Sequence, residues 1–123
     1  MNRSGITIDE KNVMLVPVDG TIWLSEWEIA KMFEVFVAKV NSNIRSIIKV
    51  SVLYEREVCR TYYYKDGGSV EQYNLEMITA LSFRIKSRKA EVFRNWMMRK
   101  AVTNTVGQQI LMNIQWYNKA LLN

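Results

Sequence analysis

The amino-acid sequence predicts an α+β fold, because it contains both β-rich stretches and segments with the helical period of about 3.6 residues. Two β-rich stretches surround turn sequences, Asp19-Gly20 in the first and Asp66-Gly67-Gly68 in the second. Such turn sequences tolerate the positive φ angles that tight hairpins require. Helical patterns lie between the two stretches and after the second. We therefore expect a hairpin, two helices, a second hairpin and a helical C-terminal part.

Composition and length are those of a globular domain. The chain has 123 residues, of which 49% are hydrophobic and 24% charged, enough for one ordered domain with its own core. The single cysteine, Cys59, permits no internal disulfide, and no secretory leader is recognisable, so we expect a reducing cytoplasm. No run of roughly 18 apolar residues occurs, and no membrane-spanning helix is predicted.

The first predicted elements are a hairpin over residues 13–24 and a helix that follows it. Pro17 cannot donate a ladder hydrogen bond, which places its strand at a sheet edge. Ser25 and Glu28 have the spacing of a capping box, in which each side chain satisfies a free backbone N–H of the first helical turn. A helix is therefore expected to begin at Ser25.

Residues 29–49 have the spacing of two helices that cross over a short turn. Ala30 is the small residue expected where the helices approach most closely, and Val35 would point inward from the turn. The second helix has an apolar stripe formed by Val40, Ile44, Ile47 and Ile48. Glu34 stands where such a turn commonly has glycine, and a left-handed glutamate costs roughly 1 kcal/mol. The spacing predicts a helix-turn-helix with one unfavourable residue.

Positive charge is concentrated in two blocks of the chain, although the net charge is only +5. Residues 36–49 contain three basic residues and no acidic residue. Residues 84–100 contain seven basic residues against Glu91 alone, a net charge of +6. Such blocks are typical of a surface that meets phosphates, although a solvated face is the common alternative.

The predicted outer face of the second helix carries short amides, hydroxyls and cations: Lys39, Asn41, Ser42, Asn43, Arg45, Ser46 and Lys49. Asn can pair with adenine, Arg or Lys with guanine, and Ser with bases or phosphates. Asn and Ser are poor helix formers, so their succession favours a binding role over a merely solvated face. We expect Asn41, Asn43 and Arg45 to contact bases. Phosphate contacts are expected from Lys39, Ser42, Ser46 and Lys49.

The second hairpin pattern lies directly after this helix pair, which is the order of a winged helix-turn-helix-like domain. Tyr62, Tyr63 and Tyr64 must face both sides of such a ribbon, so at least one ring is expected to be partly exposed. Stacking on a nucleobase is one interpretation, and core packing with the hydroxyls at the surface is the favoured one. Cys59 alternates with apolar neighbours and is expected to be a buried small side chain, not a nucleophile.

Residues 75–102 predict two amphipathic helices that are broken around Lys86-Ser87. Their basic residues cluster at this junction. We expect it to hold an adjacent run of phosphates through four side chains, Arg84, Lys86, Arg88 and Lys89.

The segment "YNLEMITALSFRIKSRKAEVFRNW", residues 73–96, closely resembles part of the RhuM virulence-protein family. "IWLSEWEIAKMFEV" and "NIRSIIK" resemble the opening of the same family, so the likeness spans about residues 20–102. It is also similar to the related phage Bro-N and KilA-N DNA-binding domains. The resemblance implies a DNA-binding transcriptional regulator of a bacterial mobile element or prophage. Where the family generally has a serine- and arginine-rich start to the second helix, this chain has Phe36, Val37 and Ala38.

The last segment predicts a helix over residues 104–122, with apolar residues at steps of three and four. It would pack on its own domain or form a homodimer suited to a two-fold DNA site. The expected organisation is one domain of three parts: a winged helix-turn-helix-like part at 1–72, a basic helix pair at 73–102 and the C-terminal helix at 103–123.

Catalysis is not expected, because the chain has no histidine, no phosphate loop and no metal-binding cysteine pair. No cofactor, metal or small-molecule substrate is predicted. The predicted function is binding of double-stranded DNA. The alternative is a protein-interaction module, antirepressor-like or virulence-associated, without direct DNA readout. Steep salt dependence of nucleic-acid binding would favour the first, since each phosphate contact contributes a slope of about 0.9 in log K against log salt.

Overall fold

The computed structural model describes residues 5–103 and Ile114, and this part of the chain forms a mixed α+β structure. The described residues form five strands and five helices. The strands are β1 (Gly5–Ile8), β2 (Val13–Val16), β3 (Trp23–Ser25), β4 (Cys59–Tyr63) and β5 (Ser69–Asn74). The helices are α1 (Glu26–Phe33), α2 (Val37–Lys49), α3 (Glu55–Val58), α4 (Leu75–Arg84) and α5 (Arg88–Val102). The α+β prediction is confirmed. The helix predicted over 104–122, with its dimer contact, lies outside the described residues.

The strands form two small antiparallel sheets, and the first of them corrects a prediction. β1 pairs with β2, and the Asp9 carboxylate closes their turn by accepting from the backbone N–H of Lys11 and Asn12 at 2.9 and 2.7 Å. The hairpin predicted over residues 13–24 is therefore wrong. The residues on either side of the Asp19-Gly20 turn form only an isolated bridge, between Val18 and Thr21, and not a ladder of paired strands.

The second sheet has the order β3-β5-β4, so the central strand is the last one in sequence. β3 pairs with β5 and places Leu24 opposite Tyr73, where both side chains are buried. β3 therefore pairs with a strand that lies about fifty residues away in the sequence. Its neighbour in the sequence, β2, belongs to the other sheet. The second predicted hairpin is confirmed, with Cys59 opposite Tyr73 at one end and Tyr63 opposite Ser69 at the other.

The two predicted helices of residues 29–49 are present, and local hydrogen bonds define their ends. α1 begins at the predicted capping box, in which Glu28 N donates to Ser25 Oγ at 3.2 Å and Ser25 N donates to Glu28 Oε1 at 3.1 Å. α1 ends at Glu34, whose φ of 57° and ψ of 48° are left-handed. Val35 N then donates to Ala30 O at 3.0 Å. Glu34 therefore does adopt the left-handed backbone conformation, which is unfavourable for a glutamate.

The core lies between α1, α2, α4 and α5, with β3 and β5 packed on α1, β5 also packed on α4, and β1 and β2 packed on α5. Phe33 and Phe93 are completely buried, and their rings meet edge to face with centroids 5.8 Å apart. α2 contributes Val40, Ile44 and Ile47, as the apolar stripe predicted. Burying these side chains is the main favourable contribution to folding, roughly 1.5–3 kcal/mol for each large one.

The basic helix pair is also broken where the sequence predicts. Asn74 caps α4 by accepting from Met77 N at 3.1 Å, and Ser87 caps α5 by accepting from Ala90 N at 3.1 Å. The buried Ser82 donates to Thr79 O at 2.6 Å, so its hydroxyl is satisfied.

Replacing Glu34 by glycine should stabilise the domain, because glycine adopts the left-handed conformation without a Cβ clash. We expect Glu34→Gly to raise the free energy of unfolding by about 1 kcal/mol, measured by urea denaturation followed by circular dichroism. Lys31→Gly, at an exposed helical position of α1, is the control and should lower it by about 1 kcal/mol. A loss of stability in both variants would show that the turn carries no strain.

Candidate nucleic-acid interface

One side of α2 is exposed and basic, and the opposite side is buried in the core. Five residues form the exposed side, called here the α2 outer face: Ala38, Lys39, Ser42, Arg45 and Lys49. They are exposed because the helical period places them opposite Val40, Ile44 and Ile47. α2 contains no acidic residue. The α2 outer face therefore carries three positive charges with no negative charge on the same helix.

The three residues predicted to contact bases are placed differently from one another. Arg45 is exposed on the α2 outer face. Asn43 is half-buried, and its Nδ2 donates to the Lys39 backbone oxygen at 2.8 Å. Asn41 is half-buried, and its Nδ2 donates to Glu26 Oε1 of α1 at 2.8 Å. The expectation that Asn41 lies on the outer face is therefore wrong: four residues after Val37, it lies on the side of α2 that faces α1.

The predicted phosphate-binding residues of α2 also divide into two groups. Lys39, Ser42 and Lys49 are exposed on the α2 outer face. Ser46 is half-buried, and its hydroxyl accepts from Arg84 Nη1 at 2.9 Å. This hydrogen bond joins α2 to the last residue of α4 and holds the guanidinium beside the exposed side of α2. Arg84 thus adds a fourth cation to this region from a distant part of the sequence.

The four cations predicted to grip one phosphate run at the α4–α5 junction contact different elements. Arg84 bonds to α2, whereas Lys89 Nζ donates to Ile8 O of β1 at 2.7 Å. Arg88 forms an exposed ion pair with Glu91 at 3.4 Å, and such exposed pairs contribute little to stability. Lys86 is exposed. Of these four side chains, only Arg84 is joined to α2 by a hydrogen bond.

The β4–β5 hairpin carries exposed aromatic side chains, which corrects the expected packing of the tyrosines. Tyr62, Tyr63 and Tyr64 are all exposed, Tyr63 by 75%. Tyr62 and Tyr64 contact each other edge to face, with centroids 5.3 Å apart. β4 is an edge strand that leaves the core after its first residue, Cys59, so the tyrosines that follow have no core to enter.

Cys59 and Tyr73 lie opposite each other at the base of this hairpin. Burial raises the pKa of the half-buried Cys59 thiol, and the nearby Glu71 carboxylate raises it further. Burial likewise raises the pKa of Tyr73, whose hydroxyl donates to Glu71 Oε2 at 3.3 Å. A raised pKa keeps the thiol protonated near neutral pH, which disfavours the thiolate that a nucleophilic cysteine needs.

Neither a metal site nor a membrane span is found in the described part of the chain. Within residues 5–103, no three His, Cys, Asp or Glu side chains are grouped so that they could hold a metal ion. None of the helices described is both long enough and apolar enough to cross a bilayer.

Comparisons of the chain with family models, curated proteins and solved structures find no match. The resemblance carried by residues 73–96 therefore stays a prediction.

The raised pKa of Cys59 predicts a loss of stability at alkaline pH. The unfolded chain ionises its thiol first, so the stabilisation is complete below the ordinary pKa of about 9 and is lost as pH rises through the higher folded value. We expect the free energy of unfolding to fall more steeply above pH 9 in the wild type than in Cys59→Ala. Parallel curves from urea denaturation at a series of pH values would contradict this expectation.

Proposed function

We propose that this domain binds double-stranded DNA and inserts α2 into the major groove. The observation that carries the proposal is the α2 outer face, where Lys39, Arg45 and Lys49 are exposed together without an acidic residue in the helix. The major groove admits an α-helix, and lysine and arginine side chains can hold its phosphates and contact its base edges.

The surroundings of the α2 outer face support a polyanionic ligand. Among the described residues, no carboxylate forms an ion pair with Lys39, Arg45 or Lys49. Their charges are therefore not neutralised by the part of the domain that the structure describes. Arg84 extends the same basic region and is oriented by Ser46. Release of counterions from phosphates would then supply a large part of the binding free energy.

The roles of individual residues follow from their exposure. Arg45 is the best placed of the three predicted base-contacting residues because it is exposed, whereas Asn43 is half-buried and its amide nitrogen donates to the Lys39 backbone oxygen. Lys39, Ser42, Lys49 and Arg84 are assigned to phosphates. Asn41 is assigned a positioning role instead, because its hydrogen bond to Glu26 fixes α2 against α1.

The order of elements supports a winged helix-turn-helix-like arrangement as part of this proposal. β3 precedes the helix pair, β4 and β5 follow it, and all three strands join in one sheet. The β4–β5 hairpin would act as the wing, with Tyr63 and Lys65 available to the DNA backbone. Given the resemblance of residues 73–96, we extend the proposal to transcriptional regulation on a bacterial mobile element or prophage.

A protein-interaction module is the second candidate function. It is favoured by the indole of Trp27, which is 72% exposed on α1, a helix outside the basic surface. Large exposed aromatic side chains are common anchors of protein interfaces. In that case binding to a protein partner would depend on Trp27 and would vary little with salt.

Removing two cations of the α2 outer face should reduce DNA affinity and its salt dependence together. We expect Lys39→Ala/Lys49→Ala to lower the slope of log K against log salt by about 0.9 for each lost phosphate contact. The measurement is a fluorescence-anisotropy titration of a mixed-sequence duplex at several salt concentrations, with circular dichroism to establish folding.

The matched control is Lys11→Ala/Arg56→Ala, which removes the same charge from exposed positions outside α2 and outside the basic block at residues 84–100. It should keep a slope close to that of the wild type. Equal losses in both double variants would show that net charge, not α2, determines binding. A folded wild type that binds no duplex at low salt would overturn the DNA proposal.

A further inference from the structure

We propose that Phe36, with Ala38 beside it, contacts the methyl groups of thymines and so gives the domain its preference among DNA sequences. The inference rests on the proposed function and names the base that the start of α2 recognises. It concerns the first residues of α2, to which the charge pattern assigns no role.

The position of Phe36 is unfavourable for the isolated domain on two counts. Phe36 is the N-cap residue of α2, and its side chain makes no capping hydrogen bond, whereas Ser, Thr, Asp or Asn would satisfy a free backbone N–H there. Its ring is 88% exposed, the largest exposure among the big hydrophobic side chains described. A bound surface that covers the ring would offset the cost of exposing it to water.

Phe36 stands at the N-terminal end of α2, immediately before the basic part of the helix. Lys39 N donates to the Phe36 backbone oxygen at 2.9 Å, so Lys39 lies one turn further along the helix. Ala38 begins the exposed row that continues through Ser42, Arg45 and Lys49. The two apolar side chains at the start of α2 are thus followed directly by the basic surface.

This combination selects DNA over an apolar protein partner as the ligand. In helix-turn-helix complexes, the N-terminal residues of the second helix contact base edges. Thymine is the base that carries a methyl group in the major groove, and phenylalanine and alanine are among the side chains that contact it. Lys39 would meanwhile contact the phosphates that flank the same base pairs.

Replacement of thymine by uracil tests the inference, because the two bases differ only by the methyl group. Wild-type protein is used to select duplexes about two helical turns long from a random pool. Each thymine of the selected sequence is then replaced by uracil, and affinity is measured by fluorescence anisotropy. We expect at least one replacement to weaken wild-type binding about fourfold, the value for one buried methyl group.

In Phe36→Ala, the same replacement should weaken binding clearly less than in the wild type, although the variant still binds with a salt-dependent affinity. Trp27→Ala, which truncates an exposed aromatic side chain outside α2, is the matched control and should keep the fourfold effect. Circular dichroism establishes that each variant is folded.

The outcomes separate the inference from the proposed function. Duplex binding by the wild type that is indifferent to every uracil replacement would overturn the thymine contact and leave DNA binding intact. An equal uracil effect in wild type and Phe36→Ala would also overturn it, since the methyl would then be sensed elsewhere. A wild type that retains no duplex from the pool would overturn the DNA-binding proposal itself.

Discussion

The contact between Phe33 and Phe93 is the constraint on which the arrangement of α2 depends. Phe33 is the last residue of α1, and its completely buried ring meets the equally buried Phe93 of α5. The chain therefore leaves α1 at a fixed point in the core and has three residues, Glu34 to Phe36, in which to change direction. A left-handed Glu34 is the result, and α2 is then held by Val40, Ile44 and Ile47 so that its other side meets water.

The parts of the fold that local sequence encodes could be predicted, and those that depend on distant partners could not. The capping box at Ser25 and Glu28, the turn at Asp66–Gly68 and the apolar stripe of α2 involve residues within a few positions of one another. β3 shows the limit. Its three residues pair with β5, about fifty positions away, and nothing in the Asp19-Gly20 pattern distinguishes this partner from β2.

The same distinction applies to the candidate site. The helical period correctly placed Lys39, Ser42, Arg45 and Lys49 on an exposed face, because it depends only on which residues of α2 are buried. Period alone could not show that Asn41 bonds to Glu26, or that Ser46 bonds to Arg84, since each partner belongs to another helix. The prediction that the tyrosines pack in the core was wrong. Composition alone does not distinguish an edge strand that extends beyond the core from one that packs on it.

The hydrogen bond between Arg84 and Ser46 has a consequence for the thermodynamics of association. A free arginine side chain loses much of its rotamer entropy when it settles on a ligand, and that loss opposes binding. In this domain the guanidinium is already directed by a serine hydroxyl during folding, while Nη2 and the remaining N–H groups can still donate. Part of the entropic cost of ordering this side chain is thus incurred on folding, so Arg84 is preorganised for the DNA contact that we propose.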